Sequence, residues 1–176
     1  MAMSPDRNGL ARNHIRFGWL MLAVFATIGL SLEAFLGFKA SWYLEEAYET
    51  RRLLFTLGHA HGALLSIVNV LFGVAATATK GEASRLLVAS RLLTIATVLL
   101  PSGFLIGGFG IRGSDPGIGI FLVPVGAVCA VAAFVAAGTG VNPPGEANDA
   151  VPPRRETGPH RPRKRATGRR RRRHRR

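Results

Sequence analysis

The sequence has few acidic residues, one cysteine, and long stretches without any charged side chain. Of its 176 residues, 23 are Lys or Arg and 10 are Asp or Glu, which gives a formal net charge of +13. Because Cys129 is the lone cysteine, a disulfide within the chain is excluded, and we interpret this residue as a small packing residue. The sequence contains no catalytic motif that names a reaction, so it favours a noncatalytic protein over an enzyme.

Four apolar stretches predict membrane-spanning helices. The stretches cover residues 17–38, 53–78, 86–111 and 118–137. The second and fourth contain no Asp, Glu, Lys or Arg, while the first contains only Glu33 and the third only Arg91. At a rise of about 1.5 Å per residue, about 20 residues cross a hydrocarbon core of about 30 Å. The sequence therefore predicts an all-α integral membrane protein, in which four transmembrane helices form an antiparallel bundle.

Basic residues that flank the spans predict the orientation of the chain. The N-terminal segment 1–16 carries Arg7, Arg12 and Arg16, and the second connection carries Lys80 and Arg85. The connections on the other side contain fewer basic residues or balance them with acids. By the positive-inside rule, we expect a multi-pass protein of the cell membrane with both termini in the cytoplasm. The first span is longer than the apolar core of a signal peptide, so we expect it to stay as an anchor.

Residues 139–176 differ in composition from the apolar stretches before them. This tail is rich in Pro and Gly, and thirteen of the 23 basic residues lie from Arg154 onward. We predict a disordered, Arg-rich cytoplasmic tail. Anionic lipid headgroups are possible partners, at about 1 kcal/mol for each basic residue near the surface. No aromatic residue interleaves the arginines, so sequence-specific binding of nucleic acid is not predicted. A solubilising tail without a dedicated partner is the alternative.

Four polar residues interrupt the predicted spans and form the candidate site. They are Glu33, His59, His61 and Asn69. Ionisable side chains in a bilayer usually face the interior of a helix bundle. Because a short connection joins the first two spans, we expect them to be antiparallel neighbours, and Glu33 could then form a hydrogen bond or an ion pair with His59.

The second predicted span also contains a packing seam of small and polar residues. At about 100° per residue, Gly58, Gly62, Ser66, Asn69 and Gly73 fall within a sector of about 80°. Small residues allow a neighbouring helix to approach, and Ser66 and Asn69 offer hydrogen bonds across the contact. His61 points about 160° away from His59, so the two histidines cannot hold one ion from a single face of the helix.

The segment from Gly58 to Gly62, Gly-His-Ala-His-Gly, resembles the helix of haem-copper oxidases in which a His-x-His pair ligates two haems on opposite sides. The resemblance implies a haem site at His59 and His61. Separately, the residue types would allow a zinc or copper site that these histidines build with Glu33. The other predicted spans contain no histidine, so a haem would have one axial ligand only or would take further ligands from a partner chain. Our expectation is that the protein has no cofactor, and a haem- or metal-binding redox subunit is the alternative.

The sequence therefore supports three functional hypotheses. The first is a noncatalytic membrane component that packs with itself, as a homo-oligomer, or with a larger membrane complex in the lipid bilayer. The second is the redox subunit that uses His59 and His61. The third is a small transporter or proton channel, since histidine titrates near neutral pH and can relay protons.

Overall fold

A computed structural model describes residues 7–44, 49–78, 82–111 and 115–140. Five α-helices occur in these ranges: α1 (Arg7–Gly37), α2 (Ser41–Leu44), α3 (Glu49–Ala78), α4 (Ala83–Phe109) and α5 (Leu122–Gly140). A 3₁₀ turn (Ile118–Phe121) leads into α5. Thr139 and Gly140, at the start of the predicted tail, end α5, and the rest of that tail lies outside the described residues.

Four of the helical segments are long and apolar enough to cross a membrane, which confirms the predicted helical class. They are α1, α3, α4 and the segment Ile118–Gly140. Three of the helices begin before the apolar stretches: α1 at Arg7 rather than at residue 17, α3 at Glu49 rather than at residue 53, and α4 at Ala83 rather than at residue 86. Hydropathy marks only the part of a helix that lipid would surround, whereas polar residues can continue the same helix beyond it. The 31 residues of α1 extend about 46 Å, well beyond a bilayer core.

The long helices pack in the order in which they occur in the chain. Helix α1 packs against α3, α3 against α4, and α4 against α5. Each pair is antiparallel: along α1, for example, Gly18 meets Ser66 whereas Gly29 meets His59. Within the described ranges, α1 has no extensive packing against α4 or α5. The arrangement is therefore a row with α1 at one end.

The apolar core lies where α3, α4 and α5 meet. Its buried members are Leu65, Leu93, Ala96, Leu100, Ala130 and Ala133. Gly126 of α5 lies so close to α4 that a Cβ added there would be 2.6 Å from the backbone nitrogen of Leu100. Pro101 is buried, and α4 continues through it to Phe109. Small residues thus bring α4 and α5 into close contact, as expected for helices that associate in lipid.

A short aromatic corner connects α1 to α3. Helix α1 ends before Lys39, whose positive φ of 50° reverses the chain. Phe35 of α1 then packs edge-on against Trp42 of α2, with ring centroids 5.0 Å apart. The guanidinium of Arg52 donates a hydrogen bond to the carbonyl of Leu44 at 2.8 Å, which ties α2 to the first turn of α3. Tyr48, the third aromatic residue of this connection, lies outside the described residues.

Candidate functional site

A buried histidine near the start of α1 is the centre of the site. His14 is 5% exposed although Arg12 and Arg16 beside it are exposed. Its Nδ1 lies 2.8 Å from Oδ1 of Asn69 in α3, and its Nε2 lies 2.7 Å from Oγ of Ser90 in α4. His14 therefore joins three helices through side-chain hydrogen bonds.

His14 belongs to the N-terminal segment 1–16, before the first predicted span, and was not among the predicted site residues. A signal for it was present, since Ala11, His14, Gly18 and Phe25 recur at helical spacing and are the buried residues of α1. That spacing would have continued the packed face of the first helix toward the N-terminus.

The hydrogen bonds of Asn69 fix the direction of this network. Its Nδ2 donates to the carbonyl of Leu65 at 2.8 Å and to Oγ1 of Thr97 at 2.7 Å. A carbonyl can only accept, and the Thr97 hydroxyl already donates to the carbonyl of Leu93 at 2.7 Å. The amide oxygen of Asn69 must therefore face His14, and Nδ1 of His14 carries the proton.

Ser90 completes the network on the other side of the imidazole. With the proton on Nδ1, Nε2 of His14 accepts a hydrogen bond from the Ser90 hydroxyl. If His14 were protonated on both nitrogens, Ser90 could accept instead by rotating its hydroxyl. Asn69 and Thr97 are each 0% exposed, and each has hydrogen-bond partners. A fully satisfied network of this kind specifies one arrangement of the helices it connects, because leaving any member unpaired is costly.

A cavity of about 560 Å³ opens beside this network, between α1 and α4. Its lining residues are Gly9, Leu10, Asn13, His14, Phe17, Leu87, Ser90 and Thr94. It fills the gap between two helices that, in the described ranges, do not pack extensively against each other, and we call it the α1–α4 groove. His14 and Ser90 both line the groove, and the Ser90 hydroxyl is hydrogen-bonded to Nε2 of the imidazole.

His59 and His61 lie further along α3, and each bonds to a backbone carbonyl. Nδ1 of His59 donates to the carbonyl of Phe25 in α1 at 2.7 Å, and Nδ1 of His61 donates to the carbonyl of Leu57 at 2.8 Å. The ring of His61 lies 5.2 Å from that of Phe104 in α4. Within the described ranges, no hydrogen-bond partner meets Nε2 of either histidine. Both rings are half-buried and keep an unshared lone pair on Nε2.

The structure does not bring Glu33 into contact with His59. The ring of His59 reaches Gly29 and the carbonyl of Phe25, about one to two helical turns before Glu33. Glu33 is exposed on α1. In the part of the chain that the structure describes, the one ion pair joins Arg85 and Glu82, at 2.9 Å. The predicted polar cluster is therefore divided, with Asn69 bonded to His14, the two histidines bonded elsewhere, and Glu33 on the surface.

The residues of the proposed packing seam are buried, but they face two different helices. Gly62 lies against the ring of Phe25, and Gly73 lies against the backbone of α1. Gly58 instead lies against the side chains and backbone of α4. The hydroxyl of Ser66 donates to the carbonyl of Gly62 in its own helix, at 2.6 Å, rather than across the contact.

Metal-ligating side chains do not cluster in the described ranges. No three His, Cys, Asp or Glu residues there come close enough together to hold one metal ion. Comparisons with protein-family models, with curated proteins and with solved structures found no match for this chain. The geometry of the chain itself is therefore the basis for a functional proposal.

Proposed function

We propose that this protein is a noncatalytic component of the cell membrane that works by assembly, with further copies of itself or within a larger complex. Both termini face the cytoplasm in this proposal, as the basic flanks indicate. The observation that carries it is the position of α1, which among the described helices packs extensively against α3 alone and leaves Glu33 exposed.

The exposed face of α1 around Glu33 has the composition of a helix–helix contact. Ala26, Leu30, Glu33 and Gly37 recur at helical spacing on this face, and all four are exposed. A Cβ added at Gly37 would meet nothing within 4 Å. Small residues beside a polar side chain are typical of helix contacts in membranes, where a backbone can approach closely and a carboxyl can find a partner. Lipid alone would solvate the Leu30 side chain, but it offers the Glu33 carboxyl few polar partners.

Cysteine cross-linking in native membranes tests self-association through this face. In a Cys129→Ala background, Ala26→Cys should give a disulfide-linked dimer under mild oxidation. Val131→Cys, on an exposed position of α5, is the matched control and should stay monomeric. Adding Glu33→Leu to the Ala26→Cys chain should lower the yield, because it removes the polar contact.

If the Ala26→Cys chain stays monomeric, assembly within a larger complex remains. In that case, purification in mild detergent should recover this protein together with other protein chains, and Glu33→Leu should release those chains. If the Ala26→Cys chain stays monomeric and purification recovers no other protein chains with it, the assembly proposal is wrong.

A haem- or metal-binding redox subunit is the second candidate, and the hydrogen bonds of His59 and His61 favour it. In ligating histidines, one ring nitrogen usually donates to a carbonyl or a carboxylate and the other binds the metal. Both residues have this form, with Nδ1 bonded to a carbonyl. They face different helices, so each would need its own ligand set, completed by a partner chain.

An optical spectrum together with elemental analysis of the purified protein separates the two candidates. The redox proposal predicts a Soret band or a stoichiometric transition metal that His59→Ala and His61→Ala remove. Their absence from the protein isolated with its partners would exclude this candidate and would leave the assembly proposal unaffected.

A further inference from the structure

The α1–α4 groove has the size and lining of a binding site for part of a small amphiphile. Its volume of about 560 Å³ lies within the range of about 300–1,000 Å³ that is usual for ligand pockets. Leu10, Phe17 and Leu87 give it apolar walls, while Ser90 and Thr94 place two hydroxyls in one wall. A ligand that fits both surfaces has an apolar part and a polar part.

The groove lies where the apolar stretch of α1 begins. Phe17, the first residue of that stretch, lines the groove together with His14. Arg12 and Arg16 on the same turns of α1 are exposed and positively charged. This level corresponds to the boundary between acyl chains and headgroups, where anionic lipid phosphates meet basic side chains. A membrane lipid can therefore reach the groove from its usual depth in the bilayer.

The hydrogen bonds of Ser90 and Thr94 select the chemistry of the headgroup. The Ser90 hydroxyl donates to Nε2 of His14, and the Thr94 hydroxyl donates to the backbone carbonyl of Ser90 at 3.0 Å. Both donors are thus used within the protein, and both oxygens keep lone pairs that can accept. The partner that complements these two oxygens is a hydrogen-bond donor. A cationic donor is disfavoured by the arginines nearby, whereas an uncharged hydroxyl is not.

We propose that the α1–α4 groove binds the headgroup of an anionic lipid that carries free hydroxyls, of the phosphatidylglycerol type. The glycerol hydroxyls donate to Ser90 and Thr94, and the phosphate stays at the level of Arg12 and Arg16. His14 acts as a positioning residue, because it holds the Ser90 hydroxyl as a donor and so keeps its lone pairs available. This inference goes beyond assembly of the protein and does not depend on it.

Native mass spectrometry of the full chain in mild detergent tests the proposal. The chain is titrated with phosphatidylglycerol and with phosphatidylmethanol, two lipids with equal acyl chains and equal charge, of which only the first has headgroup hydroxyls. The basic tail should contact both lipids equally, so the difference between them reports the groove. We expect phosphatidylglycerol to bind about three- to tenfold more tightly, as befits one or two hydrogen bonds.

Three variants locate the effect. Thr94→Val, which keeps the shape of the side chain but loses the acceptor, should abolish most of the preference for phosphatidylglycerol, and Thr94→Ser should restore it. Thr27→Val is the control, since Thr27 is exposed on α1 and its hydroxyl bonds only to the carbonyl of Ala23 in its own helix. Equal binding of the two lipids by the unmodified chain, or a preference that survives Thr94→Val, would overturn the proposal.

Discussion

Replacing Asn69 by leucine should expose the energetic role of the buried network. The substitution keeps the volume of the side chain roughly constant but removes the acceptor for Nδ1–H of His14. Leaving one buried donor unpaired costs about 1–3 kcal/mol. The Thr97 hydroxyl loses the hydrogen bond that it accepts from Asn69 but keeps the one that it donates to the carbonyl of Leu93, so it adds little to the loss of stability. We therefore expect Asn69→Leu to lower the free energy of unfolding by about 1–3 kcal/mol.

A double-mutant cycle with His14→Leu separates the hydrogen bond from general effects of packing. The double variant has neither the donor on His14 nor the acceptor on Asn69. Its loss of unfolding free energy should therefore be about 0.6–1.7 kcal/mol smaller than the sum of the losses in the two single variants. Unfolding in mixed detergent micelles, followed by circular dichroism, measures each value. Ser31→Ala, at an exposed position where the hydroxyl bonds within α1, is the control and should change little. Additivity within about 0.3 kcal/mol would refute the reasoning.

Four further substitutions test the packing of the helices and the backbone conformation at Lys39. Gly62→Leu should destabilise the protein by several kcal/mol, as measured by thermal unfolding, because any Cβ there meets the ring of Phe25; an unchanged melting temperature would contradict this contact. Gly126→Ala should destabilise because it crowds the backbone of α4, whereas Gly138→Ala, with open space around it, should be neutral or stabilising by up to about 1 kcal/mol. Lys39→Gly should stabilise by about 1 kcal/mol in chemical unfolding, since it relieves a positive φ of 50°, and a loss of stability would show that the lysine side chain matters more.

Four helices that are long and apolar enough to cross a membrane could be predicted from the sequence, because lipid imposes a simple requirement. A segment that crosses the bilayer must stay apolar for about 20 residues, and no charge enters stretches such as 118–137. The close packing of α4 and α5 agrees with the predicted antiparallel bundle, in which consecutive spans lie side by side.

The site was harder to predict because it depends on register and rotation. The pairing of Glu33 with His59 assumed that the two apolar stretches end at the same level. In the structure, α3 begins at Glu49, and His59 lies opposite Gly29 rather than opposite Glu33. His14 was missed for a related reason, since the charged residues around it hid the continuation of the helix. Hydropathy records what surrounds a segment on average but not which single side chain turns inward.

The order of the helices in the row bears on how the chain assembles during synthesis. Because the extensive contacts between the long helices join neighbours in the sequence, they connect segments that leave the ribosome one after the other, and loop closure costs little entropy. The bond from His14 to Ser90 is different, since it spans 76 positions and skips a helix. It can form only after α4 has been synthesised. The hydrogen bond of the His14 imidazole would then form late in folding and would fix α1, the first helix to be synthesised, in its final position.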